Sequence, residues 1–254
     1  MIRFENVSKS YGRVEAVRNL TLVVPPGELF GFLGPNGAGK TTTIRMATGI
    51  LRPTAGRIMV AGYDVYAQGP AARAVIGYVP DTPFLYDKLT GREYLEFVAD
   101  LYGVDGRKSR SRAGELLELF ELSDYKERLI ESYSHGMRQK LVMASVLVHD
   151  PQVIFLDEPT TAMDPKSARL VKDILQTLCR RGVTVFMSTH VMEIAERMCD
   201  RVGIIDRGEL VALDTMEALR QRQGEATLED IFLSVTGGPE HANLIRILNG
   251  ESAS

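Results

Sequence analysis

Residues 34–42 carry the side chains best suited to chemistry. The stretch has the pattern G-x-x-x-x-G-K-[ST] and lies between an apolar, strand-like run and a helix-like segment, the context expected of a phosphate-binding loop. Its glycines let successive backbone N–H groups point inward as a nest for phosphate oxygens, and a helix beginning near Gly39 adds its positive dipole end. We expect Lys40 to contact the β- and γ-phosphates of a nucleotide and Thr41 to bind the nucleotide's magnesium. An ordinary glycine-rich turn is the alternative, and the flanking strand and helix signals disfavour it. The stretch reads Gly34-Pro35-Asn36-Gly37-Ala38-Gly39-Lys40-Thr41-Thr42.

Two adjacent carboxylates, Asp157 and Glu158, follow the apolar run Val153-Ile154-Phe155-Leu156. Such a run is typical of a parallel strand buried on both faces, and sites in open α/β sheets lie at the carboxyl ends of such strands. We interpret Asp157 as a magnesium ligand, directly or through water. Successive side chains of a strand point to opposite faces, so we assign Glu158 a different role, orienting or deprotonating the attacking water. A surface turn is the alternative for this pair.

Two further segments fit the same picture less specifically. His190 follows another strand-like run; a lone histidine there is usually a structural hydrogen bonder, and at the same sheet edge it is a candidate for a γ-phosphate contact. Ser134 and Gly136 precede a helix-like segment, where Ser134 is a candidate N-cap and Gly136 allows close backbone approach. A helix N-terminus of this kind receives anions, although by spacing alone an ordinary serine cap is favoured.

Composition limits the class of protein. The chain has 254 residues with 44% hydrophobic content, enough for one large domain with a sizeable core. A net charge of −3 argues against a nucleic-acid-binding surface, and the basic run 107–112 is interpreted as a solvated loop before a helix. Two cysteines in helical patterns indicate free thiols in a reducing compartment. The N-terminus does not resemble a signal peptide, and no apolar run approaches the roughly 18 residues that span a bilayer. We therefore expect a soluble, cytoplasmic chain whose membrane role comes through a partner.

The order of strand-like and helix-like segments predicts an α/β fold. Strands alternate with helices in residues 1–88 and 150–235, which predicts a mostly parallel sheet with helices on its faces. Residues 57–62 are predicted to form an edge strand, and the first strand is predicted to end at Val7. From residue 89 to 149 the strand signals disappear, beginning with a capping box at Thr90 and Glu93. This predicts a helical subdomain inserted into a single domain, with a short C-terminal tail over 236–254.

Taken together, these motifs resemble the ATP-binding subunit of an ATP-binding cassette (ABC) transporter over about residues 2 to 235. The resemblance implies a P-loop NTPase cassette with an antiparallel β edge, with ATP and Mg²⁺ as cofactors. It implies that Tyr11 stacks on adenine, although the residue could be an ordinary loop tyrosine. Residues 134–138, hereafter the signature segment, stand at the family's signature position, and the resemblance implies that Ser134 and Gly136 meet the γ-phosphate of ATP held by a second cassette. Two cassettes would then close head-to-tail, with Asp164 in the loop that crosses their interface.

The chain departs from the family pattern in three places. Asp81 stands near the position of the family's lid-loop glutamine; it can still accept a metal or water, but it cannot donate a hydrogen bond. His135 replaces the first signature glycine. Ala162 and Met163 replace the glycine and leucine that usually precede Asp164. The segment 228–233 and the form of the signature resemble the branch that serves drug and polysaccharide exporters.

The apolar residues Phe84, Leu85 and Tyr86 lie in a proline-bounded loop. They either pack internally or form a socket for the cytoplasmic helix of a membrane partner. The implied function is therefore an ATPase that moves a separate membrane subunit and pairs with a second ATP-binding subunit, without nucleic acid. A non-transport ABC protein in DNA repair or on the ribosome is the first alternative, and a P-loop kinase or GTPase is the second.

Overall fold

The structure, a computed structural model, describes residues 1–159 and 163–218 together with Leu228, Phe232, Leu233 and Thr236. In this part of the chain the strands are β1 (Ile2–Tyr11), β2 (Val14–Val24), β3 (Leu29–Leu33), β4 (Ala55–Val60), β5 (Tyr63–Asp64), β6 (Ile76–Val79), β7 (Val153–Asp157), β8 (Thr184–Thr189), β9 (Arg201–Asp206) and β10 (Glu209–Thr215). The helices are α1 (Lys40–Ala47), α2 (Gly69–Ala74), α3 (Gly91–Leu101), α4 (Gly106–Leu119), α5 (His135–Val146), α6 (Pro165–Arg180) and α7 (Met192–Met198).

A six-stranded sheet in the order β10-β9-β3-β8-β7-β6 positions the predicted site. Neighbouring strands are parallel except for β10, which pairs antiparallel with β9. Strands β3, β7 and β8 are buried along their whole length, as expected of apolar strands covered on both faces. Because these strands run in the same direction, their carboxyl ends meet at one edge, and residues 34–42, Glu158 and His190 all follow directly from that edge.

A four-stranded antiparallel sheet in the order β2-β1-β4-β5 lies beside it. The prediction that the first strand ends at Val7 is wrong. The strand continues to Tyr11 because register shifts along its pairing with β2 accommodate the polar residues, and Tyr11 still pairs with Val14 at the hairpin end. The prediction of an edge strand over 57–62 is also wrong, since β5 pairs with the free side of β4.

Helices and short turns fill residues 91–146. The predicted capping box is present, with Thr90 accepting from the backbone of Glu93 and Glu93 accepting in return. The prediction that the basic run 107–112 forms a loop is wrong. The run belongs to α4, because the Asp105 side chain caps that helix by accepting from the backbone N–H of Arg107. Within the described residues, no helix is both long and apolar enough to cross a membrane.

Phe186 joins the two sheets. Its ring lies 5.2 to 6.0 Å, centroid to centroid, from four other phenylalanines, one on β1 and the others on β3 and β7. The four are Phe4, Phe30, Phe32 and Phe155. This fully buried cluster fixes β3, β7 and β8 against the antiparallel sheet, and so holds the edge at which the candidate site lies.

Both cysteines are free thiols. Cys179 lies within α6, whereas Cys199 follows α7 rather than lying inside it. Burial raises the pKa of Cys179 to about 12, and burial likewise raises the pKa of Cys199. Neither thiol therefore has the thiolate character of a reactive cysteine. The predicted tail over 236–254 lies outside the described residues, apart from Thr236.

Candidate nucleotide site

Three glycines shape the phosphate-binding loop for different reasons. Gly37 and Gly39 have φ angles of 81° and 109°, which L side chains rarely adopt. Gly39 is also the N-cap of α1, and a Cβ there would collide with the carbonyl oxygen of Ala16. Gly34 has no such angle, but a Cβ on it would collide with the carbonyl oxygen of Ile205. The loop is therefore a folded cradle packed directly against the backbone of other elements.

Lys40 begins α1 and is only 7% exposed. Its ammonium donates to the carbonyl oxygens of Gly34 and Pro35 at 2.8 and 3.2 Å and lies 3.7 Å from Oε1 of Glu158. Burial lowers the pKa of Lys40, and the nearby carboxylates of Glu158 and Asp157 oppose that shift. The buried cation is thus held inside the loop that we expect to bind phosphate.

Asp157 is the last residue of β7 and is fully buried. It pairs in register with Ser188 of β8, whose hydroxyl donates to its Oδ1. Burial raises the pKa of Asp157, and the nearby hydroxyls of Ser188 and Thr41 oppose that shift. Its Oδ2 is buried and has no hydrogen-bond partner among the described residues. A buried oxygen without a donor beside a threonine hydroxyl is chemically suited to a hard cation.

The prediction that strand alternation sets the direction of the Glu158 side chain is wrong, because Glu158 lies just past the end of β7. Its backbone has a φ of 50°, so the residue leaves the strand in a left-handed conformation. Its N–H donates to the carbonyl of Ser188 at 3.1 Å, and its Oε1 lies 3.0 Å from Nδ1 of His190. The two adjacent carboxylates have different surroundings. Asp157 contacts hydroxyls, whereas Glu158 contacts Lys40 and His190.

A cleft of about 250 Å³ lies at this edge of the sheet. Its lining residues are Ala16, Asn36, Gly37, Gly39, Lys40, Thr41, Thr42, Asp81 and Glu158. The structure therefore brings the phosphate-binding loop, the lid-loop aspartate and the Glu158 carboxylate together. Tyr11 is not part of this lining; it is half exposed, with the Lys9 ammonium 5.2 Å from its ring centroid.

The signature segment and Asp164 do not line the cleft of their own chain. Ser134 caps α5 by accepting from the N–H of Met137 at 3.3 Å, and a Cβ added at Gly136 would meet nothing within 4 Å. Asp164 caps α6, because the N–H and hydroxyl of Ser167 donate to its carboxylate at 3.0 and 2.6 Å. These hydrogen bonds lower the pKa of Asp164. Within the described residues, Ser134 and Asp164 cap helices, and neither they nor Gly136 line the nucleotide cleft of their own chain.

Known proteins place this arrangement in a family. A profile of the ABC transporter family matches residues 17–161, more than half of the chain. The chain belongs to the ABC transporter family. The predicted family and fold class are therefore confirmed, together with the class of activity, an ATP-binding and ATP-hydrolysing cassette, and the P-loop kinase or GTPase alternative is excluded.

Curated relatives are similar to this ABC cassette over most of this chain and about three quarters of their own length. The chain is 38% identical to the linearmycin resistance ATP-binding protein LnrL of Bacillus subtilis, over 93% of this chain and 76% of the relative. It is 40% identical to the daunorubicin resistance ATP-binding protein DrrA3 of Streptomyces coeruleorubidus, over 93% and 74%. It is 41% identical to the Nod factor export ATP-binding protein I of Paraburkholderia xenovorans, over 91% and 76%. The exporter-type resemblance predicted from the sequence is thereby confirmed.

Solved structures of similar fold include two cassettes. An ATP-binding subunit of an ABC transporter superposes with a TM-score of 0.87 at 29% identity, over 92% of this chain and 99% of that one. The cassette MJ0796, solved as a dimer in a post-hydrolysis state with ADP and Pi, superposes with a TM-score of 0.76 at 26% identity, over 85% and 99%.

Sequence reasoning missed two polar residues of this cassette. Ser188 directly precedes Thr189 and His190 at the end of β8, and strand order would have placed it beside Asp157 only if β7 and β8 were known to be neighbours. Gln139 is buried within α5 and donates to the carbonyl of Pro159 at 3.3 Å. The signal for Gln139 was a polar residue directly after the signature segment, in the first turns of a helix that buries its apolar residues.

Proposed function

We propose that this chain is the ATP-hydrolysing subunit of an ABC exporter, that it dimerises head-to-tail around ATP, and that it drives a separate membrane subunit. The observation that carries the proposal is that Lys40 and His190 both contact the carboxylate of Glu158 at the carboxyl edge of the sheet. A lysine ammonium, a carboxylate and an imidazole beside a backbone-lined cradle are the groups needed to bind a triphosphate and to position water against it.

Magnesium suits the residues at the cleft. Thr41 and Asp81 line the cleft, and Asp157, which does not line it, offers a buried oxygen without a hydrogen-bond partner among the described residues. Among the described residues, no three acidic, histidine or cysteine side chains cluster as a metal site of their own. We therefore assign Asp157 and Thr41, with Asp81 as a further candidate, to an ion that arrives with the nucleotide and neutralises phosphate charge.

Within the site, each side chain has its own task. Lys40 binds the β- and γ-phosphates, and in doing so it leaves the loop carbonyls and Glu158 that hold it here. The Glu158 carboxylate then accepts a proton from, or orients, the attacking water. His190 holds Glu158 from the other side through Nδ1 and contacts the γ-phosphate. Tyr11, exposed at the end of β1, stacks on the adenine base.

A second cassette completes the site. Residues 1–88 and 150–235 hold ATP, while residues 89–149 present Ser134 and Gly136 to the γ-phosphate bound by the partner. Support comes from the position of the signature segment: it does not line the cleft of its own chain, and among the described residues no packing contact explains a glycine at 136. A similar cassette, MJ0796, was solved as a dimer, which supports pairing of two cassettes.

The membrane subunit docks on an aromatic groove. Leu85 packs internally, but Phe84 is 83% exposed and Tyr86 is half exposed, so internal packing does not account for this loop. Phe84 and Tyr86 line a groove of about 400 Å³ with further exposed apolar residues of α3, among them Leu101. Contiguous exposed apolar side chains rimmed by polar residues are typical of protein interfaces. Through it, the cassette would lie peripherally on the inner face of the cell membrane.

The decisive experiment replaces Glu158 with glutamine. Glu158→Gln should bind ATP as the wild type does, lose about 10²- to 10³-fold in ATP hydrolysis, and accumulate as an ATP-bound dimer in size-exclusion chromatography. Glu193→Gln, an exposed position on α7, is the matched control and should hydrolyse ATP normally. Full hydrolysis by Glu158→Gln would refute the assigned role. Co-purification with ribosomes or DNA rather than with a membrane protein would favour the non-transport alternative.

A further inference from the structure

Gln139 is an almost fully buried amide on α5, 3% exposed. Its Nε2 donates to the carbonyl oxygen of Pro159 at 3.3 Å, twenty residues further along the chain. Its Oε1 is buried and has no partner among the described residues. A buried, half-satisfied amide costs stability relative to an apolar side chain of the same size. Packing therefore does not explain glutamine here, whereas the bond to Pro159 does.

Pro159 directly follows Glu158, whose backbone φ is 50°. A non-glycine residue in this conformation is strained and persists only where its surroundings hold it. Two hydrogen bonds hold this turn: the N–H of Glu158 donates to Ser188 on β8, and the carbonyl of Pro159 accepts from Gln139 on α5. The backbone that carries Glu158 thus depends on β8 on one side and on α5 on the other, while its carboxylate is contacted directly by His190 and Lys40.

Helix α5 begins at the signature segment, with Ser134 as its cap. The residue after Gln139 makes a second link. Lys140 lies 3.1 Å from Glu121, and the same Glu121 carboxylate lies 2.6 Å from Lys166 at the start of α6. Neighbouring residues of α5 therefore connect to the chain on both sides of residues 160–162, at Pro159 and at Lys166. A displacement of α5 pulls on both connections.

We propose that Gln139 is a positioning residue that sets the Glu158 carboxylate according to where α5 lies. The inference rests on the proposed function, in which the N-terminus of α5 contacts ATP held by the second cassette. Engagement of the signature segment at one nucleotide then orients the water-activating carboxylate of the other nucleotide site, because both belong to the same chain and are joined through the carbonyl of Pro159.

The test uses Gln139→Met, which keeps the size of the side chain and removes the donor. Its matched control is Gln152→Met, the same change at an exposed residue with no side-chain hydrogen bond described. Gln139→Met should lower kcat for ATP hydrolysis about tenfold while KM, the affinity for labelled ATP and the melting temperature stay close to wild type. Gln152→Met should leave kcat unchanged.

A double variant separates positioning from a structural role. In the Glu158→Gln background, adding Gln139→Met should lower the residual hydrolysis no further and should leave the ATP-bound dimer intact, since there is no carboxylate left to position. An unchanged kcat for Gln139→Met, or a loss that multiplies fully with that of Glu158→Gln, would overturn the inference. Full hydrolysis by Glu158→Gln alone would instead contradict the proposed function, so the two failures are distinguishable.

Discussion

The ammonium of Lys40 lies 3.7 Å from Oε1 of Glu158, and that same oxygen lies 3.0 Å from Nδ1 of His190. Lys40 and Glu158 are both largely buried, at 7% and 17% exposure. The groups assigned to phosphate and to water therefore face each other directly. Under the proposed function, a triphosphate that attracts Lys40 would remove one partner of Glu158 and leave its carboxylate available to water, so that ATP binding would prepare the site for hydrolysis.

Removing the ammonium should weaken nucleotide binding. Lys40→Ala deletes the cation that we assign to the β- and γ-phosphates, and a charged hydrogen bond contributes about 1.5 to 3 kcal/mol. We expect the Kd for ATP, measured by titration with a fluorescent analogue, to rise about 10- to 100-fold. Lys88→Ala, at a lysine that is 82% exposed and far from the cleft lining, should bind as the wild type does. Unchanged affinity in Lys40→Ala would contradict the assignment of the loop.

Two glycines of the phosphate-binding loop should differ in their tolerance of alanine. Gly37 has a φ of 81° and open space around it, so Gly37→Ala pays only for the left-handed backbone, about 1 to 2 kcal/mol in the free energy of unfolding. Gly39→Ala has the same kind of strain and also a collision with the Ala16 carbonyl. We expect it to be clearly less stable than Gly37→Ala in urea denaturation, and to lose ATP binding. Equal stability of the two variants would contradict the close packing of the loop against β2.

The sequence indicates which residues of the candidate site could do chemistry, but not which of them contact one another. Lys40 and the strand preceding it are encoded in one short segment, where glycine spacing and an apolar run leave little choice. The contact between Lys40 and Glu158 depends on β3, β8 and β7 lying side by side, and local sequence patterns do not determine the order of strands in a sheet. The bond from Gln139 to Pro159 was unpredictable for the same reason.

The errors in secondary structure also have physical causes. β1 was predicted too short because its second half alternates poorly, and pairing with β2 through register shifts sustains it. β10 was not predicted at all: it lies at the edge of its sheet with alternate residues half exposed, so it lacks the buried apolar run that identified β7 and β8. Tertiary pairing decided both cases, and neither strand contributes an assigned side chain other than Tyr11.

Substitution in the aromatic groove should uncouple the cassette from its membrane subunit. Phe84→Ser removes a side chain that is 83% exposed, so the substitution should change the free energy of unfolding of the cassette little. Aromatic anchors at interfaces contribute at least about 2 kcal/mol, so we expect about 30-fold weaker association with the membrane subunit. Co-purification from detergent-solubilised membranes measures it, and ATP binding by the isolated cassette should not change. Val211→Ser, an exposed apolar position on β10, is the control, and equal loss in both variants would contradict a specific groove.

Substitution of Gly136 by alanine tests whether this glycine is needed for folding or for contact with a second cassette. A Cβ at Gly136 would meet nothing within 4 Å, and the same is true of Gly114 in α4. Both lie within helices, where alanine is favoured over glycine by about 0.5 to 1 kcal/mol. Gly114→Ala and Gly136→Ala should therefore both raise the urea midpoint slightly.

Only one of the two variants should lose activity. If Gly136 approaches ATP held by a second cassette, its new methyl group occupies space that the partner's nucleotide needs, so Gly136→Ala should lower ATP hydrolysis and ATP-dependent dimerisation about tenfold or more. Gly114→Ala should retain both. Because the described residues of the chain offer no steric reason for either loss, a stable but inactive Gly136→Ala would indicate a cause in the dimer. Wild-type hydrolysis by Gly136→Ala would contradict a place for the signature segment in the site.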